Sequence, residues 1–186
     1  VGALTVSSER RIAAILLIGC WVVFMVAGIL YTGRAIWKWP AGQTQTHLVW
    51  ERGLVIAAAL INLMGFVALE SLLHGAGDVV IGRLALSVTL IATAVLLTAE
   101  GSFLGSHNWV YPQIVIYVAL AFLAQAAFGV ALLRTGIVPG WAGWATIAWN
   151  LGWLAILPFA SPKDIYYPAL HHAAPLLIGI ILLLSG

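Results

Sequence analysis

Six long apolar runs, parted by short polar stretches, take up nearly the whole chain. They cover about residues 11–32, 48–73, 81–104, 112–134, 139–160 and 167–185. A hydrocarbon core of about 30 Å is crossed by roughly 20 helical residues, so each run is read as a span. The pattern predicts an all-α fold in one domain, a polytopic membrane bundle of six transmembrane helices. The breaks carry the residues that end and start helices. Gly75-Ala76-Gly77-Asp78 and Ser161-Pro162-Lys163-Asp164 read as turns. Pro112, Pro139 and Pro168 suit the first turn of a helix, where a missing N–H costs little. The longest break, about 33–47, sets Trp37 and Trp39 beside Arg34 and Lys38, the chemistry of an interfacial anchor.

Composition agrees. The 186 residues are 63% hydrophobic and 8% charged, whereas soluble domains carry about 25% charged residues. No room is left for a soluble catalytic domain or a nucleic-acid module. The net charge of +2 is too small to imply an acidic partner. Cys20 is the only cysteine, which excludes an internal disulfide and any CxxC motif. The first run exceeds the 7–15 or so apolar residues of a signal peptide and no small-x-small site follows it, so it is kept as a helix. There is no internal repeat of the kind that marks many transporters, which puts a small transporter third among the functional readings. With the N-terminus inside, Arg10, Arg11, Arg83 and Arg134 lie inside and Arg34, Lys38, Arg52 and Lys163 outside. The cations are thus evenly divided and the positive-inside rule does not choose an orientation; the arginine pair directly before the first run favours the N-terminus inside.

Polar residues form stripes at helical spacing. Asn62, Phe66, Glu70 and His74 share one face, as do Thr89, Thr93 and Glu100 on the third helix. The fourth carries Gln113, Tyr117, Ala121 and Gln125, and the fifth Thr146, Asn150 and Trp153. Such stripes should face the bundle interior, because lipid cannot satisfy them. For Asn62, Thr93, Gln125 and Asn150 the plain expectation is interhelical hydrogen bonding, at about 0.6 kcal/mol per bond. Glu70, His74, Asp78 and Arg83 read as solvated charges at the opposite face.

Glu100, His107, His171 and His172 collect at the outer ends of their helices, and His47 and Glu51 belong near them. Carboxylates and imidazoles are expensive in hydrocarbon, so this cluster is the candidate site. Adjacent histidines differ by about 100° on a helix, so at most one of His171 and His172 should point at the bundle axis. Pro175 removes the hydrogen bond to the His171 carbonyl and predicts a kink beside the pair. Three chemistries use such groups. Glu100, His107 and His171 are of the right types to hold a single metal ion, although no HExxH spacing is present. A haem would need paired histidines at both depths, and the inner side offers only His74. Glu100 and His171 also suit acid–base work on a lipid, with His172, Tyr117, Asn150, Trp153 and Gln125 as groups that bind or orient it.

The stretch from Leu132 to Trp144, LLRTGIVPGWAGW, resembles a turn of uncharacterised bacterial multi-helix integral membrane proteins. In those proteins one helix ends in Arg-x-Gly and the next opens with Pro-x-Trp-x-Gly-Trp. The likeness covers about 13 of 186 residues and implies a bacterial inner-membrane protein, with no activity attached. Glu70-Ser71-Leu72-Leu73-His74 is similar to the Ser/His element of membrane hydrolases that include alkaline ceramidases. Its serine-to-histidine spacing is one residue short, and no residue of that family is carried over.

The residues therefore lead to an integral membrane protein that binds, or also processes, a hydrophobic small molecule or membrane lipid. The competing expectation is a non-catalytic accessory or scaffold subunit, in a homo-oligomer or a larger membrane complex.

Overall fold

A computed structural model describes residues 2–106, 111–159 and 170–185. The described residues are mostly helical, and there is no strand among them. Helix α1 runs Gly2–Tyr31 and passes into a π-helical turn, Thr32–Ile36. Then come α2 Ala41–Gly75, α3 Ile81–Ser106, α4 Tyr111–Thr135, α5 Gly140–Ile156 and α6 Ala173–Leu184.

Among the described residues, four segments are long and apolar enough to cross a membrane: Ser8–Ile36, Gln45–Gly75, Ile81–Ser106 and Pro112–Thr135. They indicate a membrane-integral protein. The other two expected spans are shorter here: α5 has 17 residues and α6 has 12, below the roughly 20 that a span needs. Proline explains both. Helix α5 stops at Ile156, two residues before Pro158, which has no N–H to continue the hydrogen-bond ladder to the Leu154 carbonyl, while Leu157 itself keeps helical φ and ψ. The final run is interrupted by a turn at His172, and α6 starts only at Ala173, with Pro175 in its first turn. Of these two expected spans, residues 160 and 167–169 lie outside the described residues.

Other boundaries follow the turn chemistry. Gly136 takes φ +65° after α4, and its N–H donates to the Leu132 carbonyl at 3.0 Å. The buried Asp78 carboxylate accepts the Gly82 N–H at 2.5 Å and so caps the start of α3.

Each helix packs against the next in sequence, and α6 closes back onto α1, which makes a ring. Glycines allow the close approaches. A Cβ on Gly129 would lie 3.0 Å from the Gly143 carbonyl oxygen, and one on Gly179 would lie 2.9 Å from that of Ala14. Arg10 ties one end of the ring together. It donates to the Ser185 carbonyl at 2.7 Å and the Ile137 carbonyl at 3.2 Å. This end is the Arg10 face; the opposite end is the Arg34 face.

The distribution of side chains is the reverse of a water-soluble protein. Ile15, Val22, Met64, Val67, Ile91, Val115 and Leu123 point outward, while Glu51, Arg52, Asn62, Glu100, Gln125, Asn150, His171 and His172 are buried. A lipid solvent selects this arrangement. The interior is also divided along its length. Toward the Arg10 face it is a dry core of Leu17, Phe66, Leu69, Phe128, Leu132 and Ile178, with Phe66 and Phe128 stacked at 4.5 Å. Toward the Arg34 face Ala59, Leu96, Ile114, Tyr117 and Phe122 pack around the ionisable groups.

Overpacking a close helix contact costs about 1–3 kcal/mol. Gly129→Val and Gly179→Val should each lower the thermal midpoint in nanodiscs accordingly. Gly152→Ala, with nothing within 4 Å of its new Cβ, should leave the midpoint unchanged or raise it.

Candidate intramembrane site

The site begins where α1 loosens. In the π-helical turn the Trp37 N–H reaches the Thr32 carbonyl at 2.9 Å. Such turns recur at functional sites because they re-aim side chains. Gly33 is required here, since a Cβ would overlap the indole of Trp39. Arg34 then grips Glu51 with two bonds, Nε to Oε2 at 3.0 Å and Nη2 to Oε1 at 3.2 Å. Arg52 continues the chain. Its Nη2 lies 2.9 Å from Glu51 Oε1 and its Nη1 3.3 Å from Glu100 Oε1. The Arg52 guanidinium also lies 5.1 Å from the centroid of the Phe103 ring. Only the Arg34 side chain is partly exposed, at 21%; Glu51, Arg52 and Glu100 are at 3% or less. The four charges alternate in sign and sum to zero.

A second group sits on α4 and the segment before α6. The Tyr117 hydroxyl is 2.5 Å from His171 Nε2, and Gln125 Nε2 is 3.2 Å from His171 Nδ1. The amide as placed donates to Nδ1, which puts the ring proton on Nε2, donating to the Tyr117 oxygen. Both ring nitrogens are engaged. The His172 ring packs between those of Phe24 and His171, with centroids at 4.3 Å and 4.1 Å and planes tilted by 37° and 36°. The expectation that at most one of the two histidines faces inward does not hold: both are buried. The reason is the turn at His172, which removes the regular 100° step. The same break leaves the Leu170 carbonyl to the Trp149 indole, which donates to it at 2.7 Å.

A cavity joins the two groups. About 30 Å³ of it is open to the centre of a water molecule, and its wall includes Phe24, Tyr31, Arg52, Glu100, Tyr117 and His172. Three buried polar atoms of this wall have no hydrogen-bond partner: Glu100 Oε2, His172 Nδ1 and the Nε of Arg52, whose two Nη atoms are both paired. Buried polar groups are almost always paired, so such orphans point to a missing ligand or water. A smaller cavity of about 10 Å³, just enough for one water, lies on the other side of Tyr117 among Asn62, Thr93, Gln125 and His171.

The other expected residues fall as follows. Asn150 is buried, and its amide donates to the Thr146 carbonyl of its own helix at 2.8 Å; Trp153 packs in an edge-on pair with Trp149 at 5.8 Å. Neither lines these two cavities. Thr93 likewise bonds its own helix, while Asn62 meets Cys20 and Gln125 meets His171. The His47 ring stands edge-on to Trp39 at 5.0 Å. His107 lies outside the described residues, and among those described no three His, Cys, Asp or Glu side chains gather as a metal-ligand set. At the opposite face Arg83 pairs with Glu70 at 3.3 Å and is 58% exposed, as a solvated charge is; Asp78, expected to be solvated with them, is instead buried, because its carboxylate caps α3 through the Gly82 N–H. Spacing along the chain does not single out Arg34 or Arg52, because a cation at the end of an apolar run reads as interfacial. The available signal is Glu51-Arg52, opposite charges side by side in an apolar run.

No protein-family model, curated protein or solved structure matches this chain.

Removing one partner of a buried ion pair costs about 3–5 kcal/mol, because the other charge is left bare. Arg52→Met should therefore destabilise by that amount, and Arg52→Met with Glu100→Met by clearly less, as read by thermal unfolding. Tyr117→Phe leaves His171 Nε2 without its partner and should cost about 1–3 kcal/mol in the same assay.

Proposed function

We propose that this chain is an integral membrane protein whose six helices lie in the bilayer, and that its cavity receives the polar end of a hydrophobic small molecule or lipid. The observation that carries this reading is the pair of orphaned atoms, Glu100 Oε2 and His172 Nδ1, on one cavity wall. Phe24, Ala27, Val55, Leu96 and Ile114 supply the apolar part of the same wall. Ligand sites have this composition, mostly apolar with a few convergent polar groups. The histidine of the proposed site is His172, since His171 is already bonded on both nitrogens. Tyr117 and Gln125 then act at one remove, by holding His171 against the His172 ring.

An accessory subunit needs polar residues only as glue between helices, which the ion series, Asn62–Cys20 and Gln125–His171 supply; the unpartnered Glu100 Oε2 and His172 Nδ1 on a cavity wall are not glue and favour binding. Transport is disfavoured by the dry core that fills the interior toward the Arg10 face. The arginine pair Arg10-Arg11, directly before the first apolar run, favours an N-terminus inside, and the turn around Pro139 favours a bacterial inner membrane.

Native mass spectrometry from lipid nanodiscs tests the binding. The wild-type protein should carry a hydrophobic adduct of one defined mass. His172→Phe, which fills the cavity and removes the nitrogen, should lower its occupancy at least tenfold, while Gly152→Ala retains it. A wild-type protein with only the bulk lipid distribution would count against the proposal.

A further inference from the structure

Resting on the cavity as a lipid-binding site, we infer that the head group it takes is a single neutral hydroxyl, the end of a long-chain or polycyclic alcohol. Charge balance excludes an ionic head. Arg34, Glu51, Arg52 and Glu100 already form a closed alternating series of pairs at 3.0, 2.9 and 3.3 Å. Both guanidiniums are already compensated by carboxylates, although Arg52 Nε makes no hydrogen bond, so an entering carboxylate or phosphate would bring a charge with no uncompensated cation to meet it. An entering ammonium would add a net charge to a buried, balanced set, which is costly in low dielectric.

Hydrogen-bond chemistry narrows the class further. Glu100 Oε2 is an acceptor with nothing donated to it. A ketone, ester or ether offers no donor and would leave it bare. A hydroxyl donates to Glu100 Oε2 and keeps its own oxygen free to accept from His172 Nδ1–H, so one group satisfies these two of the three unpartnered atoms. The cavity leaves about 30 Å³ open to the centre of a water molecule, which is room for a small polar group beside these atoms. The carbon chain then follows the apolar part of the wall.

The test uses four probes of equal chain length: dodecan-1-ol, methyl dodecyl ether, dodecanoate and dodecylamine. Each is titrated into the purified full chain in nanodiscs, with thermal unfolding followed by tryptophan fluorescence and occupancy by native mass spectrometry. The alcohol should raise the midpoint saturably by several degrees, and Glu100→Leu should abolish the shift. His172→Leu, which leaves the ion series intact, serves as the second variant if Glu100→Leu fails to fold, and should abolish it too. The ether, acid and amine should give less than a tenth of the alcohol's occupancy. Equal binding of all four, or preference for the acid or amine, overturns the hydroxyl assignment and leaves the lipid cavity standing. No binding of any probe to a folded wild-type protein overturns both. Alcohol binding that persists in both variants places it elsewhere and overturns the assignment.

Discussion

Four charges held inside an apolar ring set the terms for the rest of this molecule. Arg34, Glu51, Arg52 and Glu100 link α1, α2 and α3 in a single alternating series. Taking such groups out of water costs several kcal/mol each, and only mutual pairing with good geometry offsets it. The pairing therefore demands a fixed register between three helices. The π-helical turn, the bare Gly33 and the Trp39 ring that covers it all serve to aim Arg34 at Glu51. Hydrophobic burial drives helix association weakly in lipid, because lipid tails are as apolar as leucine. Specific polar pairs and close glycine contacts then decide which arrangement forms.

The same series makes the interior one-sided. Between the Arg34 face and the middle of the ring lie the ion pairs, both histidines and both cavities; beyond them the core is dry. An interior built this way suits a blind site better than a path across the membrane. Tyr117 stands on the wall of both cavities and bonds His171. His171 in turn packs against His172, so the unpartnered nitrogen of His172 is held by packing from two sides. Rigid support of this kind is what a binding group needs.

Much of this is legible along the chain, for identifiable reasons. Hydropathy locates helices well when every backbone group must be satisfied internally, and the bounds of the first four runs agree with α1 to α4 apart from extensions at their ends. The cost of burying carboxylates and imidazoles singles out Glu100, His171 and His172. Helical spacing puts Tyr117 and Gln125 on one face, and His171 bonds both. What the chain hides is non-local. Nothing in the periodicity of α2 says that Arg52 meets Glu100 on α3, and a cation near the end of an apolar run is ordinarily an interfacial one. Pro158 shortens α5, and the turn at His172 turns both histidines inward, where a regular helix would have sent one away.

The proposed sharing of one molecule between Glu100 and His172 is tested most directly by experimental density for the protein in nanodiscs, at a resolution that shows bound head groups. The expected result is a non-protein feature in the cavity, within hydrogen-bond distance of both Glu100 Oε2 and His172 Nδ1 and continued by an elongated apolar tail. A cavity closed by a protein side chain, or a Glu100 turned out to the lipid head groups and parted from Arg52, would contradict it.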